Sequence, residues 1–177
     1  EQDMWGKHTS FENGARVPLI VRMPGAAGNG EKSEALVELV DLYPTLCDLA
    51  GLKMPAQLEG ASFAPVLEEP RRAWKTGVFT SQLARGNADQ GGTVVMRSLR
   101  TDRYRYTAWV ERATGDVLAR QLYDHEVDGG ETVNVAEEGE RAPVVEKLHA
   151  QLLGGWRGSL GAAAIESEAA GGDENGY

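Results

Sequence analysis

Apolar residues along the chain fall into short clusters separated by glycine, proline and polar residues. The run at 17–23 ends at Pro24-Gly25, which is the pattern of a buried strand. Pro18 restricts that strand to its first residues or to a sheet edge, because proline donates no ladder hydrogen bond. Residues 36–40 predict a second short extended segment.

The next cluster has the period and the end signals of a helix. Asp41 is placed to cap it by accepting hydrogen bonds from the first-turn N–H groups. Pro44 falls in that first turn, where a missing N–H is tolerated. Gly51 stands where a left-handed C-terminal residue is favoured. The predicted buried stripe is Leu42, Leu46 and Leu49.

The second half of the chain predicts an antiparallel sheet followed by a helix. Four strands are expected, at 77–81, 93–99, 104–110 and 121–123. A helix is expected at 142–156, with Val145, Leu148 and Leu152 on one face. Between the halves, residues 53–75 are irregular and contain scattered prolines. The pattern therefore predicts the end of an α/β layer, then a small α+β arrangement.

Composition narrows the class of protein further. The 177 residues carry a formal charge of −9, which argues against a general nucleic-acid binder. No apolar run reaches the length of about 20 residues that spans a bilayer. The single Cys47 excludes an internal disulfide framework. Because the chain starts at Glu1 without an initiator Met, we expect a piece of a longer protein.

Three candidate motifs have simpler interpretations. Residues 25–33 approach a phosphate-binding loop, but Glu31 separates the glycine from Lys32, which favours an ordinary surface loop. Residues 124–129 start like a calcium loop, yet Val135 replaces the required glutamate, so we expect an acidic, solvated turn. Basic and aromatic residues at 97–109 alternate between the two sheet faces, which indicates a core face rather than a nucleic-acid platform.

Four segments together resemble the sulfatase family. They are WGKHTSFENGARVPLI at 5–20, LVDLYPTLCDLAG at 39–51, EGASFAPVL at 59–67 and LYDHEVDGGETVNVA at 122–136, in the order in which sulfatases carry them. In the last segment Gly129 stands where the family usually has proline. The segment MRSLRTDRYRYTAW at 96–109 looks most like the iduronate-2-sulfatase subgroup.

The resemblance implies a fold and a division of the chain. It implies the end of an alkaline-phosphatase-like α/β sulfatase domain at 1–70. A small C-terminal subdomain would follow at 71–160, with an antiparallel sheet of about four strands packed on a helix. Residues 161–177 would form a flexible tail, since they are rich in alanine, glycine and acidic residues.

The resemblance also implies sulfate-ester hydrolysis, with formylglycine as nucleophile and calcium as metal. Cys47 is followed by Asp-Leu-Ala-Gly, so it is not the formylglycine precursor, and we expect that residue and the calcium ligands upstream of this chain. Lys7 is the residue carried over as catalytic and substrate-binding, because its ammonium would contact a sulfate oxygen. His8 is expected to face substrate. Arg100 and Trp109 could lie on the substrate side or be purely structural, and the structural role is favoured for both.

The implied partners are a sulfated small molecule or glycan and the remainder of the sulfatase domain, without nucleic acid or membrane. Many sulfatases are exported or lysosomal, but this sequence leaves the compartment open. Two alternatives also remain open. One is a non-catalytic interaction module that keeps the fold, and the other is a phosphate or phosphonate ester hydrolase of the same superfamily. As part of a sulfatase, the chain alone is expected to be inactive, because the nucleophile and the metal ligands are absent from it.

Overall fold

A computed structural model describes residues 8–83 and 94–161. Contacts divide these residues into two units. The sheet unit contains residues 8–18 together with the described part of 79–158, and the helical unit contains 19–78 with 159–161. The division at residue 70 stays a prediction, and the predicted tail lies almost wholly outside the described residues. No described helix is long and apolar enough to cross a membrane.

The sheet unit is built on four strands in the order β1-β2-β3-β4, so each strand lies beside its neighbour in sequence. Strands β2, β3 and β4 pair antiparallel. This confirms the predicted small antiparallel sheet, although β4 is longer than the segment 121–123 expected from sequence. The bounds are β1 Val78–Leu83, β2 Val94–Arg100, β3 Tyr104–Glu111 and β4 Val117–Asp124.

One face of this sheet forms the core with the C-terminal helix α4, Ala142–Gly158. Leu99, Tyr106 and Leu122 occupy consecutive register positions across β2, β3 and β4, and all three are fully buried. Val145 and Leu148 of α4 are buried in the same cluster, as the helical period predicts. Burying each such side chain contributes about 1.5–3 kcal/mol, which fixes α4 on the sheet.

The opposite face of β3 is also buried, but by polar side chains. Arg105 and Thr107 alternate with Tyr106 and Ala108, and all four are nearly inaccessible. The predicted alternation of these residues between the two faces of the sheet is therefore confirmed. A strand buried on both sides, with an arginine on one of them, needs ion-pair partners above that face. Residues from distant parts of the chain supply them.

The remaining elements are short. In the sheet unit, helix α1 (Glu12–Ala15) buries no side chain, and a 3₁₀ turn at Gly139–Arg141 precedes α4. In the helical unit, α2 covers Leu42–Leu49 and α3 covers Ala64–Glu68. The predicted helix after Asp41 is thus confirmed, and Gly51 has the expected positive φ of 62°.

Two details of that helix were predicted wrongly. Asp41 makes no side-chain cap to α2; its carboxylate instead accepts hydrogen bonds from the N–H groups of Glu38 and Ala61. The predicted leucine stripe is not the buried face either, since Leu46 is 62% exposed. The buried residues are Pro44, Thr45 and Cys47. Polar contacts made by Thr45 and Asp41 set the helix orientation in place of leucine burial.

Two predicted extended segments are not strands. Leu39–Asp41 forms a 3₁₀ turn, closed by reciprocal hydrogen bonds between Glu38 and Asp41. Residues 17–23 are assigned to no strand, and Ile20 is 92% exposed. A strand is defined by pairing with a neighbour, and no described strand pairs with this segment.

Candidate functional site

The residues assigned to substrate stand at the start of the described chain. Lys7 lies outside the described residues. His8 is exposed and belongs to no helix or strand, whereas the two residues after it, Thr9 and Ser10, are buried. The chain therefore passes from an exposed position into the sheet unit within one residue, directly after the predicted sulfate-binding pair.

Contacts with β1 and β4 hold the first part of this segment. Gln82 on β1 donates a hydrogen bond from its Nε2 to the carbonyl oxygen of Thr9, at 2.9 Å. The Phe11 ring packs at a tilted angle on Tyr123 of β4, with 5.7 Å between ring centroids. The Thr9 hydroxyl oxygen accepts a hydrogen bond from the Phe11 N–H. The backbone at residues 9–11 thus has a defined course along the sheet.

Glu12 connects the segment to β2 and β3 through its carboxylate. Its Oε2 forms ion pairs with Arg105 Nη2 and, at 3.3 Å, with Arg100 Nε. Burial acts to raise the pKa of Glu12, but the charges of Arg105 and Arg100 outweigh it and hold the pKa below its usual value. Glu12 is therefore ionised at neutral pH and fixed between two guanidinium groups.

Glu131 completes this cluster from the loop after β4. Its Oε1 accepts a hydrogen bond from Arg105 Nε at 2.5 Å and lies 2.8 Å from His125 Nε2. Its Oε2 accepts a hydrogen bond from the backbone N–H of Glu12 at 2.6 Å. The Glu131 side chain is 1% exposed, and its backbone has a φ of +54°. We call Glu12, Arg100, Arg105, His125 and Glu131 the ionic cluster.

The loop that carries Glu131 is held by two acidic side chains, one paired with an arginine and one bonded to the loop backbone. Asp124 is buried and accepts hydrogen bonds from Arg103 Nε and Nη2. Asp128 accepts from the N–H groups of Thr132 and Val133, at 2.7 and 2.8 Å. The expectation of an acidic, solvated turn is therefore wrong for Asp124. These carboxylates fold the loop because the backbone there lacks a pairing strand.

Asn134 ends the same loop and replaces a missing strand partner. Its side-chain oxygen accepts hydrogen bonds from the N–H groups of Leu122 and Ala136, at 2.9 and 3.0 Å. Its side-chain nitrogen donates to the Arg120 carbonyl oxygen at 3.1 Å. The acidic residues and asparagine of the segment 122–136 thus have structural roles that together present Glu131 to the sheet.

Three residues of the ionic cluster have the geometry of a metal site, but an arginine side chain takes the place of a metal ion. Glu12, His125 and Glu131 each offer a ligand atom, and these atoms lie within 4.8 Å of one another. However, the Arg105 guanidinium, 3% exposed, already sits between the two carboxylates. It supplies the positive charge that a cation would supply and would repel a second one. A histidine is also an unusual ligand for calcium, which prefers oxygen. Within the described residues, this trio does not fit calcium.

The remaining residues singled out from sequence have ordinary contacts. Arg100 pairs with Glu12, and Trp109 donates from Nε1 to Gln121 Oε1 at 3.1 Å. The structural roles of both residues stay predictions. Cys47 is a buried free thiol in α2. Sequence reasoning missed Arg105 and Glu131, because their pairing joins positions 26 residues apart across a loop. An arginine alternating with core residues on β3 was the available signal.

The family described as "N-sulphoglucosamine sulphohydrolase, C-terminal" matches residues 1–156. The chain belongs to this family. The resemblance to the C-terminal region of sulfatases is thereby confirmed, whereas the iduronate-2-sulfatase subgroup is not.

Curated relatives of this sulfatase C-terminal region are sulfatases by name. Rat (Rattus norvegicus) arylsulfatase K is 30% identical over 144 residues, which is 78% of this chain and 24% of that protein. A Δ4,5-hexuronate-2-O-sulfatase of Bacteroides thetaiotaomicron is 32% identical over 149 residues, or 82% of this chain and 30% of that protein. An N-acetylglucosamine-6-O-sulfatase of the same organism is 41% identical over 82 residues, covering 45% and 15%. The chain thus spans about a quarter of the length of the first relatives.

Solved structures support the same fold. A protein in complex with its substrate D-glucosamine-2-N,6-O-disulfate has a TM-score of 0.65 at 26% identity, covering 81% of this chain and 28% of that one. Phosphonate monoester hydrolase of Agrobacterium radiobacter has a TM-score of 0.59 at 27% identity, covering 72% and 26%. The sulfatase C-terminal region described here therefore has the fold of the alkaline-phosphatase-like superfamily.

Proposed function

We propose that this chain is the C-terminal part of an enzyme that hydrolyses sulfate esters of a sulfated sugar. The observation that carries the proposal is the family match over residues 1–156 of the 177. The nucleophile and the metal ligands would lie in the rest of the protein, with formylglycine as the nucleophile and calcium as the metal. The part played by this chain is to present Lys7 and His8 to the sulfate group.

Charge explains why a lysine would be useful there. Negative charge is redistributed over the oxygens around sulfur as the ester bond breaks. A fixed ammonium close to these oxygens stabilises the charge that develops in the transition state. The segment that follows Lys7 is held at Thr9, Phe11 and Glu12 by side chains of the sheet unit. A segment held in this way loses little entropy when substrate binds, which favours a positioning role.

The finer proposal is a uronate 2-O-sulfate as substrate. Support comes from the iduronate-2-sulfatase-like segment at 96–109 and from the hexuronate-2-O-sulfatase, which is similar over 82% of this chain. A glucosamine 6-O-sulfate is the competing substrate, because the N-acetylglucosamine-6-O-sulfatase is also similar to this chain. It ranks second because that similarity covers a shorter part, 45% of this chain. The two sugars differ in charge, because the uronate carries a carboxylate beside its sulfate.

The test uses the whole protein that contains this chain. Release of inorganic sulfate is measured from an unsaturated 2-O-sulfated uronate disaccharide and from N-acetylglucosamine 6-O-sulfate. Faster hydrolysis of the uronate ester supports the finer proposal, and the reverse order replaces it with the glucosamine ester. Lys7→Ala should lower kcat/KM by about 10²-fold or more. His8→Ala should act mainly through KM, as expected for a residue that contacts substrate.

The control for Lys7→Ala is Lys32→Ala, which removes the same charge from an exposed position in the helical unit. Unchanged kinetics in both variants would overturn the assignment of Lys7. A 4-nitrophenyl phosphonate monoester is assayed in parallel, because phosphonate monoester hydrolase shares the fold. Preference for that ester would replace the sulfatase proposal with the superfamily alternative. Absence of turnover of every ester would favour a non-catalytic interaction module.

A further inference from the structure

The ionic cluster holds a part of the chain that has little apolar anchoring of its own. Helix α1 buries no side chain, so packing contributes little to fixing it. Its first residue, Glu12, is instead held twice: the carboxylate by Arg105 and Arg100, and the backbone N–H by Glu131. Polar contacts therefore act together with the Phe11–Tyr123 ring contact to determine where this segment lies on the sheet.

Glu131 takes part in this arrangement and is itself held in an unusual conformation. It has the one positive φ among the described residues other than glycine, at 54°. A left-handed conformation is unfavourable for such a residue and persists where surrounding contacts determine it. Those contacts are the caps made by Asp128 one turn earlier and the ion pair with Arg105.

Arg105 connects the two carboxylates through separate nitrogen atoms. Its Nε bonds Glu131 and its Nη2 bonds Glu12. Because guanidinium is planar and rigid, this arrangement fixes the relative position of both partners more tightly than one ammonium would. The partners are 119 residues apart in sequence, so the cluster joins the start of the described chain to the loop after β4.

A second contact holds the same segment three residues earlier. Gln82 donates to the Thr9 carbonyl oxygen, and Thr9 immediately follows His8 in sequence. The segment 9–12 is thus fixed at both of its ends, by β1 at Thr9 and by the ionic cluster at Glu12.

We propose that Glu131 and Arg105 are positioning residues that act through Glu12 to hold the segment 9–12, and that through this segment they support the roles proposed for Lys7 and His8. This rests on the proposed function. Neither residue is proposed to touch substrate. Their effect on catalysis is expected to pass through Lys7, because Lys7 precedes the anchored segment by one exposed residue.

A double-variant cycle in the whole protein tests this. Glu131→Gln keeps the shape of the side chain but removes its charge, and should lower kcat/KM about tenfold with a smaller change in KM. In a Lys7→Ala background the same change should have little further effect, because the group being positioned is gone. Equal losses in both backgrounds would mean a role independent of Lys7 and would overturn the proposal.

The matched control is Glu126→Gln in the same loop. Glu126 pairs with Arg103 on the surface, and its side chain is 62% exposed, so kinetics should stay unchanged. If Glu131→Gln does not fold, Arg105→Lys replaces it, since it keeps the buried positive charge but loses the two separate nitrogen contacts to Glu131 and Glu12. Glu12→Asp should keep more activity than Glu12→Gln, because it preserves the ion pair.

Hydrogen exchange separates this proposal from the proposed function. Amide exchange at residues 9–12 should become at least tenfold faster in Glu131→Gln and in Gln82→Ala, and remain unchanged in Glu126→Gln. This result is expected whether or not the protein hydrolyses sulfate. Unchanged exchange in both variants would overturn the anchoring itself, whereas faster exchange in an enzyme unaffected by Lys7→Ala would contradict only the role of Lys7.

Discussion

Lys75 donates hydrogen bonds to both carboxylate oxygens of Asp41, at 2.7 and 2.8 Å, and both side chains are almost completely buried. A third bond, at 2.8 Å, joins Lys75 to Glu38. Asp41 also accepts from the Ala61 N–H, so one carboxylate connects the 3₁₀ turn, the segment before α3 and Lys75. The helical unit therefore contains a buried ion pair that connects several of its segments.

Removing Lys75 should destabilise the chain strongly. Lys75→Met leaves Asp41 buried without its counter-charge, which costs about 3–5 kcal/mol. Unfolding in urea, followed by tryptophan fluorescence, measures the loss. Lys53→Met is the control, since Lys53 is exposed and its removal should change stability by about 0.5 kcal/mol or less. Equal stability of the two variants would show that the buried pair contributes nothing.

Gly60 marks a close approach between two parts of the same unit. A Cβ atom at this position would lie 2.1 Å from the carbonyl oxygen of Val40. Gly60→Ala should therefore cost about 1–3 kcal/mol, because backbone atoms must move. Gly154→Ala in α4, one residue before the non-helical Gly155 (φ 69°), meets no atom within 4 Å and should stabilise the helix by about 0.5 kcal/mol. Thermal unfolding of both variants checks that the two changes in stability have opposite signs. An unchanged stability of Gly60→Ala would contradict this packing.

The sequence predicted the helices and strands in which the spacing of apolar residues matches the face that is buried. The strands of the sheet unit and helix α4 follow the alternation of Leu99, Tyr106 and Leu122 and the spacing of Val145 and Leu148. Local reasoning failed where a polar side chain bonds a distant partner. Asp41 was expected to cap the helix beside it, but Lys75 and Ala61, 34 and 20 residues away, determine its orientation.

The candidate site shows the same limit. The resemblance pointed to Lys7 and His8, and the residues that hold the following segment were not identified. In the sequence, Glu131 is one position of the sulfatase-like segment 122–136. Its partners Arg105 and Glu12 are distant in sequence, so the segment alone does not reveal its role. A buried arginine on a strand requires acidic partners, but sequence alone does not say which of the 27 acidic residues supply them.

Apolar side chains remain exposed on the helical unit. Ile20 is 92% exposed, Leu39 72% and Leu46 62%. The 177-residue chain should therefore bind an environment-sensitive apolar dye in its native state. Ile20→Ser and Leu46→Ser should each lower dye fluorescence while changing stability by about 0.5 kcal/mol or less. Val66→Ala, at a buried site, should instead lower stability. Dye binding that is insensitive to both serine variants would contradict this exposure.

Acid should destabilise the loop after β4, and the sign follows from its carboxylates. Hydrogen bonds from Arg103 hold the pKa of Asp124 below its ordinary value of 3.8. Burial acts to raise the pKa of Asp128, but hydrogen bonds from Val133 and Thr132 outweigh it and lower that pKa as well. At mildly acidic pH the unfolded chain therefore binds more protons than the folded chain. Both contributions to stability are complete above the ordinary pKa and are lost as pH falls through the lower folded values.

The free energy of unfolding should consequently be nearly constant from about pH 7 to about pH 5 and fall below that. Asp124→Asn should lower stability near neutral pH, since the bonds from Arg103 weaken, and should reduce the slope below about pH 4. Asp116→Asn makes the same change of charge at an exposed position and is the control. Urea unfolding across this pH range measures both slopes. An unchanged acid slope in Asp124→Asn would contradict the lowered pKa of Asp124, because its protonation would then not be coupled to folding.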